Sequence, residues 1–249
     1  MTIGVGFFCE DGILLAADNL VTWEGMHQYY ECKLYPYSDK ECQVVFTYAG
    51  NPDLMKMFDG KFKSTVSTDI KPPVTVAKIQ NHIEAVLLNI AALTVPGELL
   101  RVLAGIVIPG KEFGLVKTDN LIVRPVTTFD YVGTGDSSVV RYLSPLMIRT
   151  RGYTAQQAKL IAAYLLWVAK RYVTGCGGNT DIVIMRPNGS RDNMINGGRV
   201  IELRLELLEH VAGLLASTFF DGRRSEQELD DYMVRLTRML KSDRKDLTQ

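Results

Sequence analysis

The sequence of 249 residues has few of the side chains that build metal or disulfide sites, with four cysteines and three histidines. No C-x-x-C pair is present, which excludes a zinc ribbon or a thioredoxin-like redox motif of local spacing. The histidines are isolated from one another and from the cysteines. We therefore expect no metal ion, no cofactor and four reduced thiols, most of them buried: Cys9, Cys32, Cys42 and Cys176.

Net charge and long apolar stretches are also missing. The 28 basic and 28 acidic side chains cancel, which argues against wholesale binding to nucleic acid or to an anionic membrane. No stretch approaches the roughly 18 consecutive apolar residues of a membrane span. Residues 1–10 lack the basic start and apolar core of a signal peptide. These absences predict a cytoplasmic protein, and 47% hydrophobic residues suffice for a large folded core.

The first twenty residues predict a β-hairpin. Ile3 to Cys9 is β-prone, and Ile13 to Ala17 is apolar throughout, as in a strand covered on both faces. Asp11-Gly12 lies between them and is a strong turn signal, because glycine adopts a positive φ without steric cost.

The remaining pattern groups strands and helices instead of alternating them. Further strands are predicted over 28–35, 42–49, 100–108, 113–117, 120–124, 129–132, 181–185 and 199–203. Helices are predicted over 53–63, 74–94, 137–149 and 154 to about 174, the last beginning with a capping box of Thr154 and Gln157. This order differs from a doubly wound parallel sheet. It predicts an α+β domain over residues 2–203, with two antiparallel sheets between two helix layers.

Residues 204–249 have a different composition, with apolar side chains at helical spacing among many charges. Leu207, Val211 and Leu214 form one stripe, and Ser225 with Glu228 forms a second capping box. We expect a C-terminal extension of two amphipathic helices, packed on the domain or on a neighbouring subunit.

Thr2 directly follows Met1, and a small second side chain favours removal of the methionine. The new terminus would carry a hydroxyl and an α-amine whose unperturbed pKa is about 7.7–8.0. Such an amine can take the hydroxyl proton, directly or through a water, so that one residue supplies both nucleophile and base. Many ordinary proteins begin in the same way, so the residues that follow decide the interpretation.

The stretch from Thr2 to Thr22 resembles the N-terminus of proteasome β subunits and their bacterial relatives, which are threonine peptidases of the N-terminal-nucleophile (Ntn) hydrolase superfamily. Thr2, Asp18 and Thr22 have the spacing of that family's nucleophile, buried aspartate and substrate-aligning threonine. Lys33 stands where the family has its catalytic lysine, with one residue fewer in the intervening loop.

Later motifs extend the resemblance to about residue 190. Ala49-Gly50 is similar to the segment whose glycine N–H forms the oxyanion hole. Gly133-Thr134-Gly135 is similar to the family's Gly-Ser-Gly, and Cys176-Gly177-Gly178 to its Ser-Gly-Gly-x-x-Asp, completed by Asp181. The resemblance implies a four-layer αββα sandwich, with Thr134 and Cys176 in the catalytic set beside Thr2, Asp18, Lys33 and Gly50.

Two positions depart from the family. Val173 replaces an aspartate and Cys176 replaces a serine, two groups that in the family position the N-terminal amine and a water. Loss of the carboxylate removes a charge that favours the protonated amine, and it also removes an orienting hydrogen bond. Cys176 as an alternative nucleophile has no histidine near it in sequence.

The resemblance implies a peptide or protein substrate and a homo-oligomer of rings or stacked rings. It leaves open an ATPase unfoldase as a partner and gives no role to nucleic acid or membrane. Two other functions stay open on the residues alone, a non-catalytic ring-forming subunit and an Ntn amidase acting on a small molecule.

The predicted hairpin raises one geometric difficulty for this site. Pairing about Asp11-Gly12 places Asp18 opposite Val5, and strict alternation then sends Thr2 to the other face of the sheet. A bulge or bend near the start of the strand is needed for Thr2 and Asp18 to meet, and the sequence shows neither.

Overall fold

The structure is a computed structural model that describes residues 2–23, 27–93, 100–119, 121–133, 140, 142–143, 145, 152–220 and 225–248. The strands within these ranges are β1 Ile3–Cys9, β2 Gly12–Asp18, β3 Leu20–Trp23, β4 His27–Tyr30, β5 Tyr35–Ser38, β6 Gln43–Ala49, β7 Arg101–Ile108, β8 Glu112–Asp119, β9 Ile122–Val126, β10 Phe129–Gly133, β11 Thr180–Met185 and β12 Arg191–Met194. The long helices are α1 Pro52–Asp69, α2 Val76–Ala91, α3 Ala155–Tyr172, α4 Gly198–Phe220 and α5 Glu226–Thr248.

The strands form two five-stranded antiparallel sheets and one ribbon. The first sheet has the order β10-β1-β2-β11-β12, the second has β5-β6-β7-β8-β9, and β3 pairs with β4. Apolar side chains of β2, such as Ile13 and Leu15, pack against Leu103 and Val107 of β7, so the two sheets share a buried interface. The α+β prediction is therefore confirmed.

Helices pack on both five-stranded sheets. Phe58 and Phe62 of α1 and Ile83 of α2 pack on the second sheet. Ala162 and Leu165 of α3 pack on the first sheet beside β1 and β2. These contacts explain why the central strands are apolar on both faces.

Local signals account for where the helices begin. Asn51 caps α1 by accepting from the Asp53 N–H, with Pro52 in the first turn. Thr154 and Gln157 make both bonds of the predicted capping box at α3. The predicted helix over 137–149 lies mostly outside the described residues.

The hairpin forms with a register different from the predicted one. Cys9 pairs with Gly12 and Val5 with Ala16, so the prediction that Val5 faces Asp18 is wrong by two residues. Gly12 is the first paired residue of β2, with φ 147°, and a Cβ there would clash with the Met185 carbonyl oxygen. The turn is therefore made by the residues before it, and the register continues towards Ile3 opposite Asp18.

Two other strand predictions are wrong. The range 28–35 is divided between β4 and β5, and 199–203 belongs to helix α4. Local propensity suggested a strand at Val200-Ile201, but the apolar spacing through Ile201, Leu205 and Leu208 continues as a helix. The short strands β3 and β12 were not predicted.

The chain divides into two compact units, Met1–Gly198 and Arg199–Gln249. The second unit contains α5 and all of α4 except Gly198, and the Ser225–Glu228 capping box forms at the start of α5. Among the described residues, no helix combines the length and apolarity that a membrane crossing requires.

Candidate active site

A buried ion pair lies where β2 ends. Lys33 Nζ is 2.8 Å from Asp18 Oδ1, and both side chains are fully buried. Lys33 also donates to the Leu20 carbonyl oxygen. Asp18 accepts two further bonds, from the Ile3 N–H at 2.9 Å and from the Gly177 N–H at 3.1 Å. One carboxylate thus connects the start of β1, the segment before β5 and the loop before β11.

Burial sets the electrostatics of this pair. It raises the pKa of Asp18 and lowers the pKa of Lys33, while each partner's charge opposes the shift of the other. Removing either side chain would leave the other charge buried without its partner, which costs about 3–5 kcal/mol in typical proteins. The pair therefore depends on both residues.

Each member of the pair is placed by its own element. Asp18 lies at the end of a strand that is buried throughout, paired with Thr180 of β11. Lys33 lies in the non-strand segment between β4 and β5, where the Glu31 N–H donates to the Asn19 carbonyl oxygen at 2.9 Å. That bond holds the lysine segment beside the residue that follows Asp18.

Thr2 is buried immediately before β1, with 6% of its surface exposed. Its neighbour Ile3 pairs with Gly133 and donates its N–H to Asp18. Gly133 has φ 112°, and a Cβ on it would clash with the Thr2 carbonyl oxygen. The Ile3 N–H bond therefore places the Asp18 carboxylate beside the peptide unit that joins Thr2 to Ile3, whereas the two-residue shift of the register leaves the face expected for the Thr2 side chain unchanged.

The loop of residues 173–179, here called the glycine loop, lies on the other side of the Asp18 carboxylate, to which its Gly177 N–H donates. Cys176 is buried, and its N–H donates to the Val173 carbonyl oxygen. Gly175 and Gly178 adopt positive φ values of 83° and 73°, which allow the loop to turn back onto β2. A thiolate at Cys176 would raise the pKa of Lys33, which shows that the thiol lies within electrostatic range of the ion pair.

The other predicted site residues are less connected. Gly50 is exposed between β6 and α1 with φ 125°, a conformation that suits a glycine. The Thr22 hydroxyl, on β3, is buried and has no hydrogen-bond partner among the described residues. Among the described residues, no hydrogen bond joins Gly50 or Thr22 to Asp18 or Lys33. Thr134 lies outside the described residues.

Sequence reasoning missed Asn19 and Lys170. Asn19 follows Asp18 and accepts from the Asn179 N–H at 2.8 Å, while its own N–H donates to the Asn179 carbonyl oxygen. Its signal was a polar side chain directly after a buried strand. Lys170, on α3, contacts the same loop and had no sequence signal beyond a basic residue near a helix end. Among the described residues, no group of three or more His, Cys, Asp or Glu side chains could hold a metal ion.

Comparison with known proteins gives a result only at the level of structure. No protein-family model matches the chain, and no curated protein matches it in sequence. Several solved structures do match. Anbu from Yersinia bercovieri, described as an ancestral β-subunit, has a TM-score of 0.72 at 15% identity, over 86% of this chain and 97% of its own.

Two other Anbu structures are similar in the same way. A Gly-1 mutant from Hyphomicrobium sp. strain MC1 has a TM-score of 0.71 at 15% identity, covering 85% of this chain and 96% of its own. Anbu in a helical assembly from Pseudomonas aeruginosa has 0.62 at 18% identity, covering 84% and 94%. At these identities the likeness shows the fold alone: the chain shares the fold of the Anbu structures.

Proposed function

We propose that this chain is a threonine-type amide hydrolase whose nucleophile is the Thr2 hydroxyl after removal of Met1. The observation that carries the proposal is the buried Asp18–Lys33 pair, bonded through Asp18 to the peptide N–H that follows Thr2. A buried, paired lysine costs desolvation free energy, and such pairs are frequent at sites where proton affinities must be adjusted. The proposal includes the four-layer αββα sandwich typical of Ntn hydrolases.

The reaction begins with proton transfer at Thr2. The α-amine takes the hydroxyl proton, directly or through a water, and Thr2 Oγ attacks the carbonyl carbon of the scissile amide. The positive charge of Lys33 favours the unprotonated hydroxyl and amine. The Gly50 N–H donates to the oxyanion that forms, and Thr22 aligns the substrate backbone.

Collapse of the tetrahedral intermediate breaks the C–N bond. The protonated α-amine gives its proton to the leaving amine, and an ester between the substrate acyl group and Thr2 remains. Water then attacks this ester, with the amine again accepting a proton, and releases the carboxylic acid and free Thr2. The substrate of this cycle is a peptide or a protein.

Homo-oligomerisation is part of the proposal. One of the similar structures is described as a helical assembly of the Anbu complex. The proteasome subunits that the sequence resembles form rings. Subunits that assemble around an enclosed space would restrict the reaction to chains that enter it.

A second candidate, a non-catalytic subunit of the same fold, is favoured by one observation. Val173 and Cys176 stand where the resemblance calls for an aspartate and a serine near the amine. Without a carboxylate at 173, the orienting hydrogen bond to the amine is lost, and catalysis would be slower or absent.

Covalent labelling separates the two candidates. We expect intact mass spectrometry to show loss of Met1, and a peptide carrying an electrophilic β-lactone to add one acyl group to Thr2. Thr2→Ala should abolish labelling. Cys176→Ser, which removes the other nucleophile of the site, should retain it.

Two outcomes would reject the amide-hydrolase proposal. One is retention of Met1 in the purified protein, since the amine of Thr2 would then be blocked. The other is labelling or peptide hydrolysis that is unchanged in Thr2→Ala. A folded wild type that loses Met1 yet is never labelled favours the non-catalytic subunit.

A further inference from the structure

Lys170 contacts the glycine loop from the helix side. It lies in the last turn of α3 and is half-buried. Its ammonium donates to the Gly178 carbonyl oxygen and to Thr180 Oγ1, both at 3.0 Å. One side chain therefore binds the loop on both sides of Asn179, joining it to the helix that covers the first sheet.

Both acceptors of the Lys170 ammonium lie close to the segment that contains Asp18 and Asn19. Thr180 is fully buried and pairs directly with Asp18 across β11 and β2. Gly178 has a positive φ, and a Cβ on it would meet Asn19 and Tyr30, so the chain here passes close to its neighbours. The loop is held on its strand side by Asn19 and Leu20, and on its helix side by Lys170.

The geometry at position 173 suits this role. A carboxylate there would stand three residues after Lys170 at the helix end, within the usual range of a side-chain ion pair. Val173 offers no such partner, and the Lys170 ammonium reaches the loop instead. A cation near the C-terminus of α3 is also favoured by the helix dipole.

We propose that Lys170 is a positioning residue for the proposed reaction, holding the Gly177 N–H against Asp18 by fixing the loop to α3. Gly177 lies next to the bonded Gly178 and donates to Asp18 Oδ2 at 3.1 Å. If the loop moves away, Asp18 keeps the two donors to Oδ1, Lys33 and the Ile3 N–H, but loses the donor that holds Oδ2 in place. This inference rests on the proposed function, because it assigns Lys170 to the same site.

Three variants test the inference. Lys170→Met keeps the length of the side chain and removes the donors, whereas Lys170→Arg keeps a cation with donors. Arg171→Met is the matched control, since Arg171 is a cation in the same helix turn whose guanidinium lies 5.0 Å from the Trp167 ring centre. Circular dichroism and thermal unfolding establish that each variant is folded.

Hydrogen exchange provides a readout that does not depend on activity. In Lys170→Met we expect peptides covering 173–180 to exchange about tenfold faster or more, with peptides from the middle of α3 unchanged. In Lys170→Arg and in Arg171→Met, these peptides should exchange at a rate close to that of the wild type. Unchanged exchange in Lys170→Met, or equal acceleration in Arg171→Met, would contradict the proposal that Lys170 fixes the loop to α3.

The β-lactone peptide provides the second readout. We expect the maximal labelling rate of Thr2 to fall about tenfold in Lys170→Met, with the half-saturating concentration unchanged and the rate substantially restored in Lys170→Arg. Faster exchange with an unchanged labelling rate would refute the positioning role. Absence of labelling in the wild type would refute the proposed function instead, and the exchange result would still decide whether Lys170 holds the loop.

Discussion

At the scale of single residues, Gly133 determines whether the Thr2 backbone fits. It pairs with Ile3 in a conformation with φ 112°, which residues with a side chain rarely adopt. A Cβ would also collide with the Thr2 carbonyl oxygen. The glycine therefore serves the site by leaving space, although it carries no functional group.

Gly133→Ala should displace Thr2 and disturb the site. We expect a loss of about 1–3 kcal/mol in the free energy of unfolding, and Thr2 labelling slower by tenfold or more. Gly60→Ala is the matched control, since Gly60 is exposed in α1 and a Cβ there meets nothing within 4 Å. That change should add about 0.5–1 kcal/mol of stability and leave labelling unchanged. Equal effects of the two substitutions on labelling would contradict the role of Gly133.

The site residues differ in how far the sequence could predict them. Thr2, Asp18 and Lys33 were identified through motif spacing, because a lysine fifteen residues from its carboxylate shows no local pattern of pairing. Lys170 and Asn19 act through contacts with a loop that tertiary folding brings to them. No spacing rule joins a helix end to that loop, so these two residues required the structure.

At the scale of elements, local sequence signals were sufficient to predict structure where the contacts join residues close together in the chain. The capping boxes at Thr154 and Ser225 depend on residues three apart, and both form as predicted. The hairpin register depends instead on Gly12, which fits against the Met185 carbonyl of a distant strand. The turn signal at Asp11-Gly12 predicted a hairpin correctly. It could not determine which residues pair, because the register also depends on the contact between Gly12 and β11.

The helix pair α1–α2 contains a buried histidine that should make it sensitive to acid. His82 contacts the Phe62 ring, and its Nε2 is 3.0 Å from Thr65 Oγ1. Burial lowers the pKa of His82 below its ordinary value of 6.5, and the Asp69 carboxylate opposes this shift only in part. The folded state therefore favours the neutral imidazole.

The sign of the pH effect follows from that shift. Below about pH 6.5 the unfolded chain binds a proton at His82 more readily than the folded chain does, so the free energy of unfolding falls as the pH falls towards the lowered pKa. His82→Gln keeps a hydrogen-bonding group and removes the titration. We expect thermal unfolding between pH 7 and pH 5 to show a shallower loss of stability in this variant than in the wild type.

A matched histidine is available for comparison. His210 lies exposed on α4, and His210→Gln serves as the control for replacing a histidine by glutamine. If His82→Gln and the wild type lose stability in parallel, desolvation of His82 does not contribute to acid sensitivity.

At the scale of the whole molecule, the second unit leaves much apolar surface uncovered in the single chain. Phe219 is 67% exposed and Phe220 81%, with further exposed apolar side chains along both helices. Phe219, Phe220 and Met233 line one cavity, and contiguous apolar surface of this kind on a folded protein is typical of a site of association. The proposed homo-oligomer supplies a reason for it, since a neighbouring subunit could bury these side chains.

Native mass spectrometry tests this assembly. We expect the wild type at micromolar concentration to form species of several 27.8 kDa subunits. Phe220→Lys should shift the distribution towards the monomer, because burying an unpaired ammonium is costly. Ile122→Lys changes an isoleucine of β9 that is 67% exposed in the first unit, and it should leave the distribution unchanged. Monomer alone in the wild type would reject the assembly, and an equal shift in both variants would show that its contacts are not specific to the second unit.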